Sequence, residues 1–164
     1  MIRVETAKGE LVVFGQTHAC AIGRAGACDF KDKREGDGRT PRGRFQLRTV
    51  LARPDRTAIA TRMPFRWLMP EDGWSDDPAD PAYNRPVRHP HAFSAERLWR
   101  DDGLYDVIVT LSHNDAPPIP GLGSAIFLHC SNGNRPTEGC AAIERAALIT
   151  LVERLEPGAW IEIV

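Results

Sequence analysis

Apolar and polar positions alternate from the start of the chain. Ile2–Thr6 and Leu11–Phe14 each repeat with a period of two and are joined by Lys8-Gly9, the pattern of a short hairpin. Ala19–Ile22 predicts a third strand, ended by Gly23 and Gly26. Phe45–Leu51 puts Phe45, Leu47 and Thr49 on one face of a further strand. Tyr105–Leu111 is β-branched and almost continuously apolar, as a strand buried on both faces would be. It ends in Ser112-His113-Asn114-Asp115, a polar cluster of the kind that can furnish a site. Ile126–His129 is the expected partner strand, which would bring His113 and His129 to neighbouring strand ends.

The period changes late in the chain. In Glu144–Leu155, residues Ala147, Leu148, Leu151, Val152 and Leu155 form one helical stripe. Glu144 suits the positive N-terminal end and Arg154 the last turn, and Pro157-Gly158 stops the helix. Trp160–Val164 closes the chain as a strand. A helical turn is also expected over Ala95–Arg100, with Ser94 as its N-cap.

Two segments carry no period. Asp29–Gly43 is dense in charge and broken by Gly36, Gly38, Pro41 and Gly43, so it is neither a helix nor a central strand, and composition alone favours a solvated loop. Pro54–Pro90 is longer and turn-rich, with Trp67 and Trp74 inside it and Trp99 just beyond. A long loop in a compact domain is usually functional or disordered, and aromatic content opposes disorder. It is either pinned to the surface by its tryptophans or forms one wall of a groove. In the second case Trp74 or Tyr83 would stack on a ligand and Arg85 would meet a carboxylate.

The resulting order is strands, a long central loop, strands, one late helix and a last strand: a mainly β chain. With 164 residues it is expected to be a single domain over 1–164. Hydrophobic residues make up 42% and charged residues 26%, an ordinary globular balance. A formal charge of -1 gives no electrostatic case for nucleic acid or an anionic membrane. No apolar run reaches the roughly 20 residues of a spanning helix, so no transmembrane segment is expected. The first residues, MIRVETAKGELVVF, carry no basic-then-apolar signal region, which leaves the cytoplasm, export by another route, or a chain numbered without its leader.

Cys20 and Cys28 flank a glycine-rich turn and could bridge across a hairpin, but free, partly buried thiols are the default without a leader. His113, His129, Cys130 and Cys140 are metal-ligand types, yet no CxxC or HxxxH spacing links them, so no metal is expected. The informative stretch is Ile126–Ile143, IFLHCSNGNRPTEGCAAI. An apolar run delivers His129, a polar loop follows, and Gly139-Cys140 comes just before the helical pattern. A thiol nucleophile with a histidine base is assembled from such parts. A position of Cys140 near a helix start would favour the thiolate. Gly139 would let the backbone turn sharply and leave amides facing a substrate oxygen.

These residues also resemble the catalytic signature of the L,D-transpeptidases, the YkuD-type domain of bacterial cell-wall enzymes. His129, Thr137, Gly139 and Cys140 match it. Upstream, Thr40-Pro41-Arg42-Gly43-Arg44-Phe45 is similar to the family's TPxGxF segment, which in the family packs beside the active site. Two positions depart from the pattern. The family's HG is His129-Cys130, and the basic residue frequent after the cysteine is replaced within Ala141-Ala142-Ile143. The resemblance implies a β-sandwich or barrel-like single domain. It also implies cysteine-dependent acyl transfer on peptidoglycan stem peptides through a thioester, without a cofactor, in the cell envelope or periplasm, and carbapenems as inhibitors. An L,D-carboxypeptidase, another cysteine amidohydrolase and a catalytically silent wall-binding module stand as alternatives. With the basic residue gone, Arg85 and His113 are the expected substrate-site substitutes.

Overall fold

The structure is a computed structural model and describes residues 1–133 and 135–164. The strands are β1 (Ile2–Glu5), β2 (Glu10–Val13), β3 (Gln16–Ala21), β4 (Ala27–Asp29), β5 (Thr40–Ala52), β6 (Phe65–Trp67), β7 (Asp72–Ser75), β8 (Pro86–Arg88), β9 (Ala95–Arg97), β10 (Val107–Leu111), β11 (Phe127–Cys130), β12 (Ala141–Ile143) and β13 (Trp160–Ile163). Among the described residues a single α-helix, α1 (Arg145–Arg154), lies between β12 and β13.

Strand order in the main sheet is β10-β11-β12-β3-β2-β1-β13-β5-β4, and β10 also pairs with β5, so the ladder closes on itself. Closure depends on the length of β5. Its first half pairs with β13 (Phe45 opposite Ile161), and its second half pairs with β10 (Leu51 opposite Ile108). The end of the expected Asp29–Gly43 loop, from Thr40 on, is thus the start of a 13-residue strand rather than a lead-in to one.

Alternation along the strands divides the interior in two. Val107, Val109 and Leu111 of β10, with Leu128 and Cys130 of β11, enter the main core beneath Leu148, Leu151 and Val152 of α1. Ile108 and Phe127, pointing the other way, join Leu51, Leu68, Leu98, Tyr105 and Cys140 in a second cluster. The continuous apolar run expected of a doubly buried strand therefore has a specific cause here: each face of β10–β11 is covered. At the start of α1, the Glu144 carboxylate accepts from the amides of Ala146 and Ala147, both at 3.1 Å, and caps the helix.

The second face is covered by the central region. Instead of an unstructured loop, this region contains a three-stranded antiparallel sheet, β8-β7-β9. The helical turn expected over Ala95–Arg100 is strand β9, because pairing of Trp74 with Glu96 and Ser75 with Ala95 outweighs the local N-cap signal. Asn84 ties this sheet down. Its side-chain oxygen accepts from Trp74 Nε1 (2.9 Å) and the Ala125 amide (3.1 Å), while its Nδ2 donates to the carbonyls of His113 and Asn114. Trp74 meets Phe127 edge-on at 5.1 Å between ring centres. All four cysteines are buried and free, Cys20 and Cys28 among them.

Leu148 is fully buried beneath the sheet. Leu148→Ala is expected to cost about 2–5 kcal/mol of unfolding free energy, against about 1 kcal/mol for Glu144→Ala. Urea denaturation checks this, and equal losses would mean that the cap rather than the apolar face holds the helix.

Candidate active site

The site forms where two short strands run side by side. β11 and β12 pair in parallel, with Leu128 beside Ala141 and His129 beside Ala142. Successive side chains alternate faces. Leu128, Cys130, Ala141 and Ile143 therefore enter the main core, while Phe127, His129, Cys140 and Ala142 share the opposite side. His129 and Cys140 are diagonal neighbours on that side, their Cα atoms on the order of 8 Å apart by strand geometry. Both line a cavity of about 550 Å³, which also meets Thr137, Gly139, Lys33 and Tyr105.

The turn before Cys140 is held by two threonines. Thr137 Oγ1 donates to the Cys140 carbonyl at 2.7 Å and accepts from the Gly139 amide at 3.1 Å. Thr40, fully buried, accepts from the Gly23 amide (2.8 Å) and donates to the same Cys140 carbonyl (3.2 Å). The two sequence motifs thus meet at one oxygen, although 100 residues separate Thr40 from Cys140. Gly139 sits at φ +141, and a Cβ there would lie 2.8 Å from the Arg39 carbonyl oxygen, so a side chain is excluded on both counts.

Cys140 does not open a helix. It leads into β12, and α1 begins only after that strand. The expected dipole assistance to the thiolate is therefore absent, since such effects fade within a turn of the helix end. The resting thiol donates to the Ala125 carbonyl at 3.1 Å and accepts from the Phe127 amide at 3.4 Å. Burial pushes it up to about 12, the charge of Glu96 adds to this, and the Phe127 amide and Lys33 oppose it. His129 is held down to about 4, mainly by burial. Its Nδ1 lies 2.8 Å from the Cys130 carbonyl. A carbonyl can only accept, so Nδ1 carries the proton and Nε2 presents a lone pair. The ring rests edge-on against Tyr105 at 5.1 Å. The Tyr105 hydroxyl donates to Glu96 Oε1 at 2.5 Å, and desolvation raises the Glu96 carboxyl. At rest the pair is a neutral thiol beside a neutral imidazole.

The other expected site residues lie elsewhere. β10 and β11 are antiparallel, with Ile108 opposite His129, so His113 lies at the far end of the ladder from His129. His113 lines a second cavity of about 330 Å³ together with Trp74, Arg85, Arg48 and Arg66. Tyr83 lines neither cavity. It is buried, donating to Glu35 Oε2 and accepting from the Gly123 amide at 3.0 Å. The structure thus brings together Cys140, His129, Gly139 and Thr137, and separates Arg85, Trp74, Tyr83 and His113 from them.

The charged segment before Thr40 contains a residue that pattern reading passes over. Lys33 is 2% exposed and faces the Cys140 cavity, where a solvated loop was expected. Its only sequence signal is a run of charge directly upstream of the Thr40 motif. Ala142, two residues after the cysteine, also lines the cavity and is 1% exposed between paired strands. Among the described residues, no group of three or more His, Cys, Asp or Glu could hold a metal ion, and no helix is long and apolar enough to cross a membrane.

A family model for the L,D-transpeptidase catalytic domain, YkuD, matches residues 2–163, and the chain belongs to this family. Among solved structures it is similar to Bd1075 of Bdellovibrio bacteriovorus. That match has 14% identity and a TM-score of 0.51, over 100% of this chain and 47% of the other. It is also similar to the L,D-transpeptidase of Xylanimonas cellulosilytica, with 12% identity and a TM-score of 0.47, over 99% and 59%. The chain spans about half the length of these solved chains. A search of curated proteins finds no match. The mainly β fold with one late helix is the one the resemblance implied.

Two pH dependences follow from the buried pair. An ordinary thiol ionises near about 8.5, whereas Cys140 is pushed up to about 12. Its alkylation by iodoacetamide, mapped by peptide mass, should keep climbing beyond about pH 9 without levelling. A plateau near neutrality would reveal a preformed thiolate–imidazolium pair. His129, held at about 4 in the folded state, binds fewer protons than an unfolded histidine near about 6.5. Its contribution to stability is therefore present above about pH 6.5 and is lost as pH falls toward about 4. His129→Gln should flatten that acid arm in urea titrations; an unchanged slope would contradict the assignment.

Proposed function

We propose that this member of the L,D-transpeptidase family is a cysteine acyltransferase acting on peptidoglycan stem peptides. The observation that carries the reading is the juxtaposition of Cys140 and His129 on one face of paired strands, with Nε2 unprotonated and a cavity above both. His129 Nε2 takes the thiol proton as Sγ attacks the carbonyl that joins the L-centre of diaminopimelate to a terminal D-Ala. The tetrahedral oxyanion collapses, the C–N bond breaks, and the proton passes from His129 to the departing D-Ala amine. A thioester on Cys140 remains. The amine of a neighbouring stem attacks the thioester carbonyl and gives its proton to His129; the C–S bond breaks, the cross-linking amide is left, and His129 returns the proton to Sγ.

A neutral resting pair suits this order of events. Substrate entry displaces water, and the thiol ionises only as its proton moves to His129, so no exposed thiolate is held between turnovers. Thr137 and Thr40 act indirectly, fixing the Cys140 carbonyl and with it the approach of Sγ. A catalytically silent wall-binding module is the second reading, favoured by the high cost of ionising a thiol buried to this depth.

Incubation with a carbapenem separates the two readings. Ring opening by Sγ is expected to add the full inhibitor mass at Cys140, and Cys140→Ala should abolish the adduct with little change in thermal midpoint. His129→Ala should slow adduct formation by roughly 10²–10⁴-fold. Intact protein with no adduct, and no change in purified muropeptides, would favour the silent module.

A further inference from the structure

The Gly139 amide, the donor expected beside that of Cys140, is already used: it donates to Thr137 Oγ1 at 3.1 Å. The Cys140 amide meets no acceptor among the described residues. That leaves one backbone donor beside the nucleophile for an oxygen formed on the attacked carbon, and such sites usually gather more than one. A cation stands next to it. Lys33 is 2% exposed, and its Nζ lies 3.5 Å from where a Cβ on Gly139 would be. The stem is packed against Gly123, whose Cβ would come within 3.0 Å of Lys33 Cγ. The head is held by the Asp37 carboxylate and by the Arg34 carbonyl at 3.0 Å. An ammonium has three donors, so one N–H remains after these two bonds. A side chain this long loses much rotamer freedom on burial, and both its stem and its head are fixed beside the nucleophile.

We infer that the Lys33 ammonium joins the Cys140 amide as the second donor to the oxyanion, the place that the Gly139 amide would otherwise fill. This assignment rests on the acyl-transfer reading above. As the Sγ–carbon bond forms, the carbonyl π pair moves onto oxygen, and the third Lys33 N–H and the Cys140 N–H receive it. When the pair returns, the C–N bond breaks and the nitrogen leaves with the proton delivered by His129. Lys33 keeps its own proton throughout. Asp37 is a positioning residue that aims it.

The test compares two reactions of the same thiol at the same pH. Acylation by a carbapenem passes through an oxyanion, whereas displacement of iodide from iodoacetamide does not. The ratio of their second-order rate constants cancels the thiolate fraction. Lys33→Met, close in volume, should lower the ratio by roughly 10²-fold, the usual effect of losing one such donor. Lys33→Arg should restore part of it. An unchanged ratio in Lys33→Met overturns the assignment, as does a parallel fall of both rates, which would make Lys33 only a stabiliser of the thiolate. If Lys33→Met does not fold, Asp37→Asn decides: the ratio should fall, and a wild-type ratio overturns the proposal. Wild-type protein that alkylates at Cys140 but is never acylated overturns the acyl-transfer reading, and this assignment with it.

Discussion

Parallel pairing of β11 with β12 is the constraint on which the rest of the site depends. Two strands of three or four residues cannot hold a register alone. They are fixed because β10 flanks one, β3 flanks the other, and the ladder closes through β5. A slip of one residue would turn Cys140 and His129 into the apolar core and bring Leu128 and Ala141 to the cavity. The hydrophobic contrast between the two faces therefore enforces the chemistry as well as the fold.

The turn that presents Cys140 is a second point of dependence. Its carbonyl accepts from Thr137 on one side and Thr40 on the other, so an atom that takes no part in bond making fixes the direction of the thiol. Gly139 permits the turn by having no side chain to strike the Arg39 carbonyl. Using the Gly139 amide to brace this turn removes it from the site, and the buried Lys33 stands beside the vacated direction.

Burial sets the electrostatics. The small β8-β7-β9 sheet and Tyr105 cover the His129 face, and both members of the pair are pushed toward their neutral forms. A buried, neutral thiol reacts slowly with bulk oxidants and alkylators. Once substrate displaces water from the cavity, each remaining donor acts more strongly on a charge that develops only during reaction.

Local pattern alone was enough for the alternating strands β1 to β3, the doubly buried β10 and the apolar stripe of α1, while the family resemblance singled out Cys140, His129, Thr137 and Gly139, which the fold places around one cavity. Each of these is written in residues close along the chain, as periodicity or as a short motif. What was not legible depends on distant partners. Ala95–Arg97 carries a helix-start signal but becomes a strand because β7 offers unpaired backbone groups. His113 looks adjacent to His129 until the antiparallel register sends them to opposite ends. Arg85 and Trp74 resemble a groove wall, yet the sheet they belong to turns them to another cavity. Lys33 reads as one more charge in a solvated loop, and only the closing of that loop over Gly123 and Gly139 buries it beside the cysteine. Sequence determines which side chains can do chemistry here. Tertiary structure decides which of them meet, because strand register and loop packing are set by contacts between residues far apart in the chain.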